Sequence, residues 1–171
     1  MVTPSPNRPI LFLDVDGVIS LFGFSLQSGQ LPGTFHWIDG VAHCIPAAIG
    51  PRLSRLAERF ELVWATGWEE KANEYLPMIL NLDSRNFPTL TFQGRAVFGS
   101  AHWKLQAITE YAGDRPAAWI DDSLDETCHG WAESRAAPTL LVETASETGM
   151  TDEHVDQLLR WADEEAAVAT G

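Results

Sequence analysis

The chain has 171 residues, 45% of them hydrophobic, and its 24 acidic and 11 basic residues give a formal net charge of −13. This length predicts one domain with a sizeable core, and the composition excludes a disordered or collagen-like chain. The negative charge disfavours binding along a long nucleic-acid tract or to an anionic membrane. We therefore expect a single domain over residues 1–171, with flexible ends at about 1–8 and 164–171.

The N-terminus and the two cysteines indicate the cellular compartment. Residues 1–9 contain prolines and Arg8 rather than the apolar stretch of a signal peptide, and the chain has no run of 18 apolar residues. Cys44 and Cys128 lie far apart without a metal-binding spacing, so we interpret both as free thiols. We expect a cytoplasmic protein that does not bind a membrane.

Apolar runs alternate with helical patterns along the chain, which predicts an α/β fold. The run at 9–15 is typical of a central parallel strand, and further strands are expected at 62–65, 89–92, 117–120 and 140–142. Helical patterns lie at 51–60, from 66 towards 82, at 100–111 and after Thr151. Roughly five strands with interleaved helices make a doubly wound, three-layer α/β/α sandwich with a mainly parallel sheet.

Four helix starts and one hairpin are also predicted. The segments 66–69 and 123–126 match the capping-box pattern, and Ser100 and Thr151 are expected to cap two further helices. Asp39-Gly40 is a turn dipeptide that joins two short strands, at 34–38 and 41–45, into a β-hairpin.

The hairpin register places two histidines side by side. His36 is opposite His43, on one face and close enough to share a ligand. Two histidines make an incomplete metal site, however, and such residues are more often polar surface groups.

Four polar clusters follow or adjoin the predicted strands, where doubly wound sheets bind ligands. They are Asp14-Val15-Asp16-Gly17, Thr66-Gly67, His102-Trp103-Lys104 and Asp121-Asp122. Asp14 and Asp16 are two apart on an extended segment, so their carboxylates face the same way and need a cation. Asp121 or Asp122 would add a third carboxylate, and such hard oxygen ligands favour Mg²⁺ over zinc.

This ordered set of motifs resembles the haloacid dehalogenase (HAD) superfamily of phosphatases and phosphotransferases over residues 11–123. The segments LFLDVDGVIS, LVWATGWEEKAN, HWKLQAI and AAWIDDS are similar more closely to the HAD domain of the Swiss Army Knife RNA repair proteins. The resemblance implies a Rossmann-like fold and a Mg²⁺-dependent phosphomonoester hydrolase that works through an aspartyl-phosphate intermediate.

The resemblance also implies a role for each motif residue. Asp14 would attack phosphorus, and Asp16 would protonate the leaving alcohol and then activate water. Thr66 and the Gly67 amide would bind the phosphoryl oxygens, and Lys104 would neutralise the charge of nucleophile and phosphate.

The implied magnesium ligands come from the first and last motifs. They are the Asp14 carboxylate, the backbone carbonyl of Asp16 and one acid of the Asp121-Asp122 pair. We prefer Asp122 as the direct ligand and Asp121 as its support, because the residue just past the strand can turn into the crevice.

The intervals between the motifs leave little room for an inserted cap domain. We therefore expect a capless enzyme in which the β-hairpin covers the site as a flap. His36, Trp37 and His43 of the hairpin, together with Trp68, are candidate substrate-binding residues, and an exposed tryptophan here or at Trp103 could stack on a nucleobase.

The expected partner is a phosphorylated substrate, either a small molecule or a nucleic-acid end. A receiver-like signalling module is a competing interpretation, but receivers carry their phosphorylated aspartate after an inner strand rather than after the first. A catalytically weak binding or scaffold domain that acts with a partner is the other alternative. The intact acids favour activity, although fold and motif do not define the substrate.

Overall fold

The computed structural model describes residues 8–83 and 85–171, so most of the expected flexible N-terminal end lies outside the described residues. In this part of the chain there are six strands: β1 (Ile10–Leu13), β2 (Thr34–Ile38), β3 (Val41–Ile45), β4 (Glu61–Trp64), β5 (Ala117–Asp121) and β6 (Thr139–Glu143). Four of them form a parallel sheet in the order β4-β1-β5-β6, and β2 and β3 form a separate antiparallel hairpin.

Strand β1 is central, as its apolar run predicts. All four of its residues are fully buried, and it pairs in parallel with β4 on one side and β5 on the other. Leu13 at its end is aligned with Trp64 of β4 and Ile120 of β5. The residues that follow these three positions therefore meet at one edge of the sheet.

Helices cover both faces of the sheet, which confirms the three-layer sandwich. They are α1 (Ile49–Ala57), α2 (Lys71–Ile79), α3 (Leu105–Ala112), α4 (Glu126–Ser134) and α5 (Asp152–Thr170). Helices α1, α2 and α5 contribute to the apolar cluster that contains Leu11 and Leu13, whereas α3 and α4 contribute to the cluster with Ile10 and Phe12. The alternation of side chains along β1 thus fills two separate cores.

The hairpin has the predicted turn and register. Asp39 and Gly40 both have positive φ, 51° and 80°, as a two-residue hairpin loop of this kind requires. His36 is paired with His43. The hairpin tip is attached to α2, because Asp39 accepts hydrogen bonds from Lys71 Nζ and from the Tyr75 hydroxyl group.

The predicted strand at 89–92 is wrong. Only an isolated parallel bridge joins Trp64 to Thr89, with the Trp64 amide donating to Pro88 and the Leu90 amide donating back to Trp64. Pro88 has no N–H with which to extend the ladder, and the Phe92 amide donates to the Glu69 side chain instead. Within residues 8–83 and 85–171 the main sheet therefore has four strands rather than five.

Two predicted capping boxes are also wrong. Helix α2 begins at Lys71, several residues after Thr66, because Glu69 adopts a positive φ of 50° that interrupts a helix starting earlier. The cap of α4 is Asp125, whose side chain accepts the Cys128 amide, rather than Ser123. The Asp125 side chain reaches the amide three residues on, which is the usual capping geometry.

Of the two remaining predicted helix starts, one is wrong and one is confirmed. Ser100 makes no cap, and a short 3₁₀ helix at His102–Lys104 precedes α3. Thr151 caps α5 as predicted, with His154 completing a capping box. Helix α5 continues to Thr170, through the segment for which we expect flexibility; its flexibility stays a prediction.

Cys44 and Cys128 are both free, as predicted, and the structure shows that both are buried. Among the helices of the described residues, none combines the length and the apolar character needed to cross a membrane.

Candidate active site

The strand ends bring the predicted acids together. Asp14 follows β1 directly, Asp121 is the last residue of β5, and Thr66 comes two residues after β4. Because these three strands are parallel neighbours in register, their carboxyl ends open on one crevice.

Lys104 lies between two carboxylates at the bottom of this crevice. Its Nζ is 3.0 Å from Asp14 Oδ1 and 2.6 Å from Asp121 Oδ2, and all three residues are buried. The 3₁₀ helix at His102–Lys104 carries the lysine to this position. We call these three residues the floor of the site.

Burial and charge shift the pKa values of the floor. Burial is the main reason that the pKa of Asp14 is raised; the Asp121 charge adds to this effect and Lys104 opposes it. Burial alone would lower the pKa of Lys104, but the charges of Asp14 and Asp121 outweigh it, so that pKa is raised. Lys104 therefore stays an ammonium ion, but its single positive charge does not compensate the negative charges of both carboxylates.

A third carboxylate, Asp122, completes a cluster that fits a divalent metal. Carboxylate oxygens of Asp14, Asp121 and Asp122 lie within 4.8 Å of one another. Burial raises the pKa of Asp122 as well. One ammonium facing three such acids leaves a negative centre, and its hard oxygen donors are those that Mg²⁺ and similar cations prefer.

Gly17 makes room for Asp122. A Cβ atom at this position would lie 2.1 Å from Asp122 Oδ2, and the backbone has a positive φ of 80°. Both facts require glycine here.

Asp16 is the exposed acid of the site, with 53% of its side chain accessible. The Trp68 indole Nε1 donates to Asp16 Oδ2 at 2.9 Å. His43 Nδ1 is 3.9 Å from the other carboxylate oxygen and 2.9 Å from Ser20 Oγ, and its ring packs edge-on against Trp68. Two of the predicted substrate-binding residues, Trp68 and His43, therefore contact or approach Asp16.

Thr66 and Gly67 lie at the turn after β4. The Thr66 hydroxyl oxygen accepts the Trp68 amide at 3.2 Å, a local turn contact that still leaves the hydroxyl group able to donate. Thr66 is buried, whereas Gly67 lines the pocket above the floor.

The pocket has a volume of about 440 Å³ and contains most of the predicted site residues. They are Asp14, Asp16, Gly67, Lys104, Asp121 and Asp122. Its other walls come from Phe22, Ser123, the segment 96–100 and Trp103.

The structure does not bring His36 and Trp37 to this pocket. His36 lines a different cavity, between the hairpin and α1, and Trp37 is 76% exposed and is not among the residues that line the pocket. Their contact with substrate stays a prediction that requires a substrate reaching beyond the pocket.

The comparison with protein families agrees with this geometry. The sequence model described as "HAD domain in Swiss Army Knife RNA repair proteins" matches residues 10–155. The chain belongs to this family. HAD domains are typically hydrolases and generally use a divalent metal, for which the buried acidic cluster offers a site. A comparison with curated proteins finds no match.

Three features of this HAD domain were not predicted from the sequence. Thr144, which follows β6, donates from its hydroxyl to the Gly17 carbonyl at 2.8 Å, and the rule that polar residues follow strands could have found it. The indole bond from Trp68 to Asp16 and the presence of Phe98 in the pocket have no comparable signal. Both depend on loop conformations that no periodic pattern describes.

Proposed function

We propose that this HAD domain is a Mg²⁺-dependent phosphomonoester hydrolase that acts through an aspartyl phosphate on Asp14, with a nucleotide or nucleic-acid terminal phosphate as substrate. The observation that carries the proposal is the floor together with Asp122. Asp14, a buried acid at the end of the central strand, is paired with the buried Lys104, and Asp121 and Asp122 lie close to it. Membership of the HAD family, whose domains are typically hydrolases, supports a phosphoryl-transfer reaction.

In the first step a carboxylate oxygen of Asp14 bonds to phosphorus while the bond from phosphorus to the leaving oxygen breaks. The electron pair of that bond goes to the leaving oxygen, which takes a proton from the Asp16 carboxyl group. Lys104 Nζ, 3.0 Å from Asp14, offsets the negative charge that nucleophile and phosphate bring together. Thr66 and the Gly67 amide, in the turn after β4, would bind the phosphoryl oxygens.

In the second step water attacks the phosphorus of the aspartyl phosphate. The Asp16 carboxylate takes a proton from this water, the bond between phosphorus and the Asp14 oxygen breaks, and inorganic phosphate leaves. The exposure of Asp16 suits this role, because the group must meet both the leaving alcohol and water. The Trp68 indole holds its carboxylate in one orientation.

Asp14, Asp122 and the backbone carbonyl of Asp16 would hold the magnesium ion. Asp121 is less free to do so, because its two oxygens already accept from Lys104 Nζ and from the Ser123 amide. When bound, Mg²⁺ would reduce the repulsion between the carboxylate nucleophile and the phosphate.

Two observations support a nucleotide or nucleic-acid end as substrate. The family is that of HAD domains in RNA repair proteins. The carboxylates also lie in an open pocket with no inserted domain above it in the described residues, so that a bulky substrate has access. The same proposal includes a cytoplasmic location, in agreement with two free, buried thiols.

The test is the release of inorganic phosphate from phosphorylated nucleotides and oligonucleotides, with Mg²⁺ and with a chelator. We expect chelation to abolish turnover and Asp14→Asn to lower it by on the order of 10⁴- to 10⁶-fold, as expected for loss of a nucleophile. Thermal unfolding of Asp14→Asn, an almost isosteric change, is the control for folding.

A second measurement examines the intermediate itself. Asp16→Asn protein mixed with p-nitrophenyl phosphate and quenched in acid should carry one phosphate on Asp14 by mass spectrometry, because its hydrolysis is slowed. Near wild-type turnover by folded Asp14→Asn would exclude the assigned nucleophile. Tight binding of phosphorylated ligands without any turnover would favour the binding or scaffold alternative.

A further inference from the structure

Three apolar side chains surround the mouth of the pocket. Phe98 is 98% exposed, Val97 is 47% exposed and Phe22 is 43% exposed, and all three line the pocket that contains Asp14. Single exposed apolar residues are ordinary on protein surfaces, but a group of them around one concave polar site marks a surface that binds something. We call Phe22 and Phe98 the aromatic rim.

The charge of the pocket limits what the rest of the substrate can be. Among the described residues that line it, Lys104 is the one cation, and it is already paired with Asp14 and Asp121. Four carboxylates line the same space. A second phosphate near the one that is transferred would therefore meet repulsion, so binding of the leaving group has to come from uncharged contacts.

Both parts of the rim are held by backbone and side-chain contacts. The Phe22 amide donates to the Ser146 carbonyl at 3.0 Å. Ser100, which ends the segment bearing Phe98, bonds to His102 and to Asp125, the residue that caps α4. The Phe22 backbone and the end of the segment that bears Phe98 are thus anchored, which reduces the backbone ordering that binding requires.

Trp103, the other aromatic residue of the pocket, is less available. Its ring packs edge-on against Phe92 with centroids 4.8 Å apart, and Lys104 Nζ lies 5.4 Å from its centroid. Phe98 has no such packing in its 98% exposed state. The exposed aromatic surface on which a flat ligand could stack is therefore the aromatic rim.

We propose that the aromatic rim stacks on the base of the nucleotide whose phosphate is removed. The preferred substrate is then a nucleoside monophosphate or an unpaired nucleic-acid end, because a base inside a duplex already has both faces covered and a triphosphate brings extra charge. This proposal rests on the proposed function for the reaction, whereas the contact between the rim and the base can be tested without it. Stacking tolerates any base, so little sequence preference is expected.

The experiment compares adenosine 5′-monophosphate with ribose 5-phosphate, which has the same phosphoryl sugar without the base. Phe98→Ala should lower kcat/KM for the nucleotide by roughly 5- to 150-fold, the range for one base–aromatic contact, and change that for ribose 5-phosphate less than about twofold. Phe98→Trp should retain the nucleotide activity, because it keeps an aromatic face. Met78→Ala, at a site that is 83% exposed on α2 and outside the pocket, is the control and should change neither value.

Calorimetric binding of adenosine 5′-monophosphate to wild type and Phe98→Ala makes the result independent of turnover. Binding that depends on Phe98 without hydrolysis would refute the proposed function and support the rim. Equal losses on the two substrates, or no preference of the wild type for the nucleotide in either rate or binding, would overturn the rim. A larger Phe98-dependent rate on a phosphotyrosine peptide than on the nucleotide would overturn it as well.

Discussion

The floor and the mouth of the pocket are built in opposite ways. At the floor, Asp14, Lys104 and Asp121 are buried and held by short ionic contacts. At the mouth, Asp16 and the aromatic rim are exposed, and Asp16 has a single indole donor at 2.9 Å. Under the proposed function, this difference separates two tasks: the floor would fix the reacting groups, and the mouth would contact the group attached to the phosphate.

The contrast also concerns stability. Buried charges cost free energy unless they are paired, so a change at the floor affects folding as well as chemistry. Exposed groups at the mouth have water as an alternative partner, and changes there should affect activity with little effect on folding. The following predictions test this division, beginning with the largest expected effect.

Lys104→Met should both stop turnover and destabilise the fold. It leaves Asp14 and Asp121 buried without their partner, which typically costs about 3–5 kcal/mol of unfolding free energy. Chemical denaturation without Mg²⁺ measures the loss. The chain has one other lysine, Lys71, whose ion pair with Asp39 is exposed. Lys71→Met is the matched control and should cost far less, because water and salt screen an exposed pair.

The loss in Lys104→Met should depend on pH. Burial raises the pKa of Asp14, and removing the lysine, which opposes that shift, raises the pKa further. A group whose pKa is higher in the folded than in the unfolded state destabilises the fold as pH rises, so the difference from wild type should shrink in acid. A difference that is constant with pH, or larger in acid, would contradict the unpaired-carboxylate explanation.

Asp16→Asn, at the mouth, should lower turnover by about 10²- to 10⁴-fold, the usual contribution of proton transfer, without a comparable loss of stability. Because the Asp16 backbone carbonyl is unchanged, the affinity for Mg²⁺ should be retained, as a metal titration of the folded variant would measure. Equal losses of metal affinity and rate would make the Asp16 side chain a ligand instead.

Trp68→Phe should have a smaller and more selective effect. It removes the indole donor that orients Asp16, and one such hydrogen bond is worth about 2- to 12-fold. The loss in kcat/KM should be seen with alkyl phosphates, whose leaving oxygen needs a proton, and not with p-nitrophenyl phosphate. The aryl ester is thus the internal control, and equal losses on both esters would indicate a general structural role for Trp68.

The smallest effect is expected at the hairpin. Trp37 and His36 lie outside the pocket, so Trp37→Ala and His36→Ala should leave mononucleotide hydrolysis unchanged. For longer oligonucleotides a change in kcat/KM of up to about fivefold, the weak end of a stacking contact, is expected from Trp37→Ala. If Trp37→Ala changed kcat/KM equally for mononucleotides and for longer oligonucleotides, the hairpin would have no part in selecting substrate.

The two acids of the floor were predictable from sequence because they end strands, whereas Lys104 lies on a 3₁₀ helix and was indicated only by the family resemblance. Apolar runs locate β1, β4 and β5, and parallel neighbours place Asp14 and Asp121 at one edge. The mouth was not predictable in the same way. The positive φ of Glu69, which delays α2, and the exposure of Phe98 arise in segments without periodicity, where single backbone angles decide the outcome.

The bond from Thr144 to the Gly17 carbonyl has a consequence for the order of assembly during synthesis. The Met150 amide also donates to the Val18 carbonyl, so the loop that follows Asp14 is braced by segments made more than 120 residues later. A ribosome-bound chain that ends before Thr144 has every acid of the site but lacks this brace. Catalytic competence should therefore appear late in translation, after the sixth strand has left the exit tunnel.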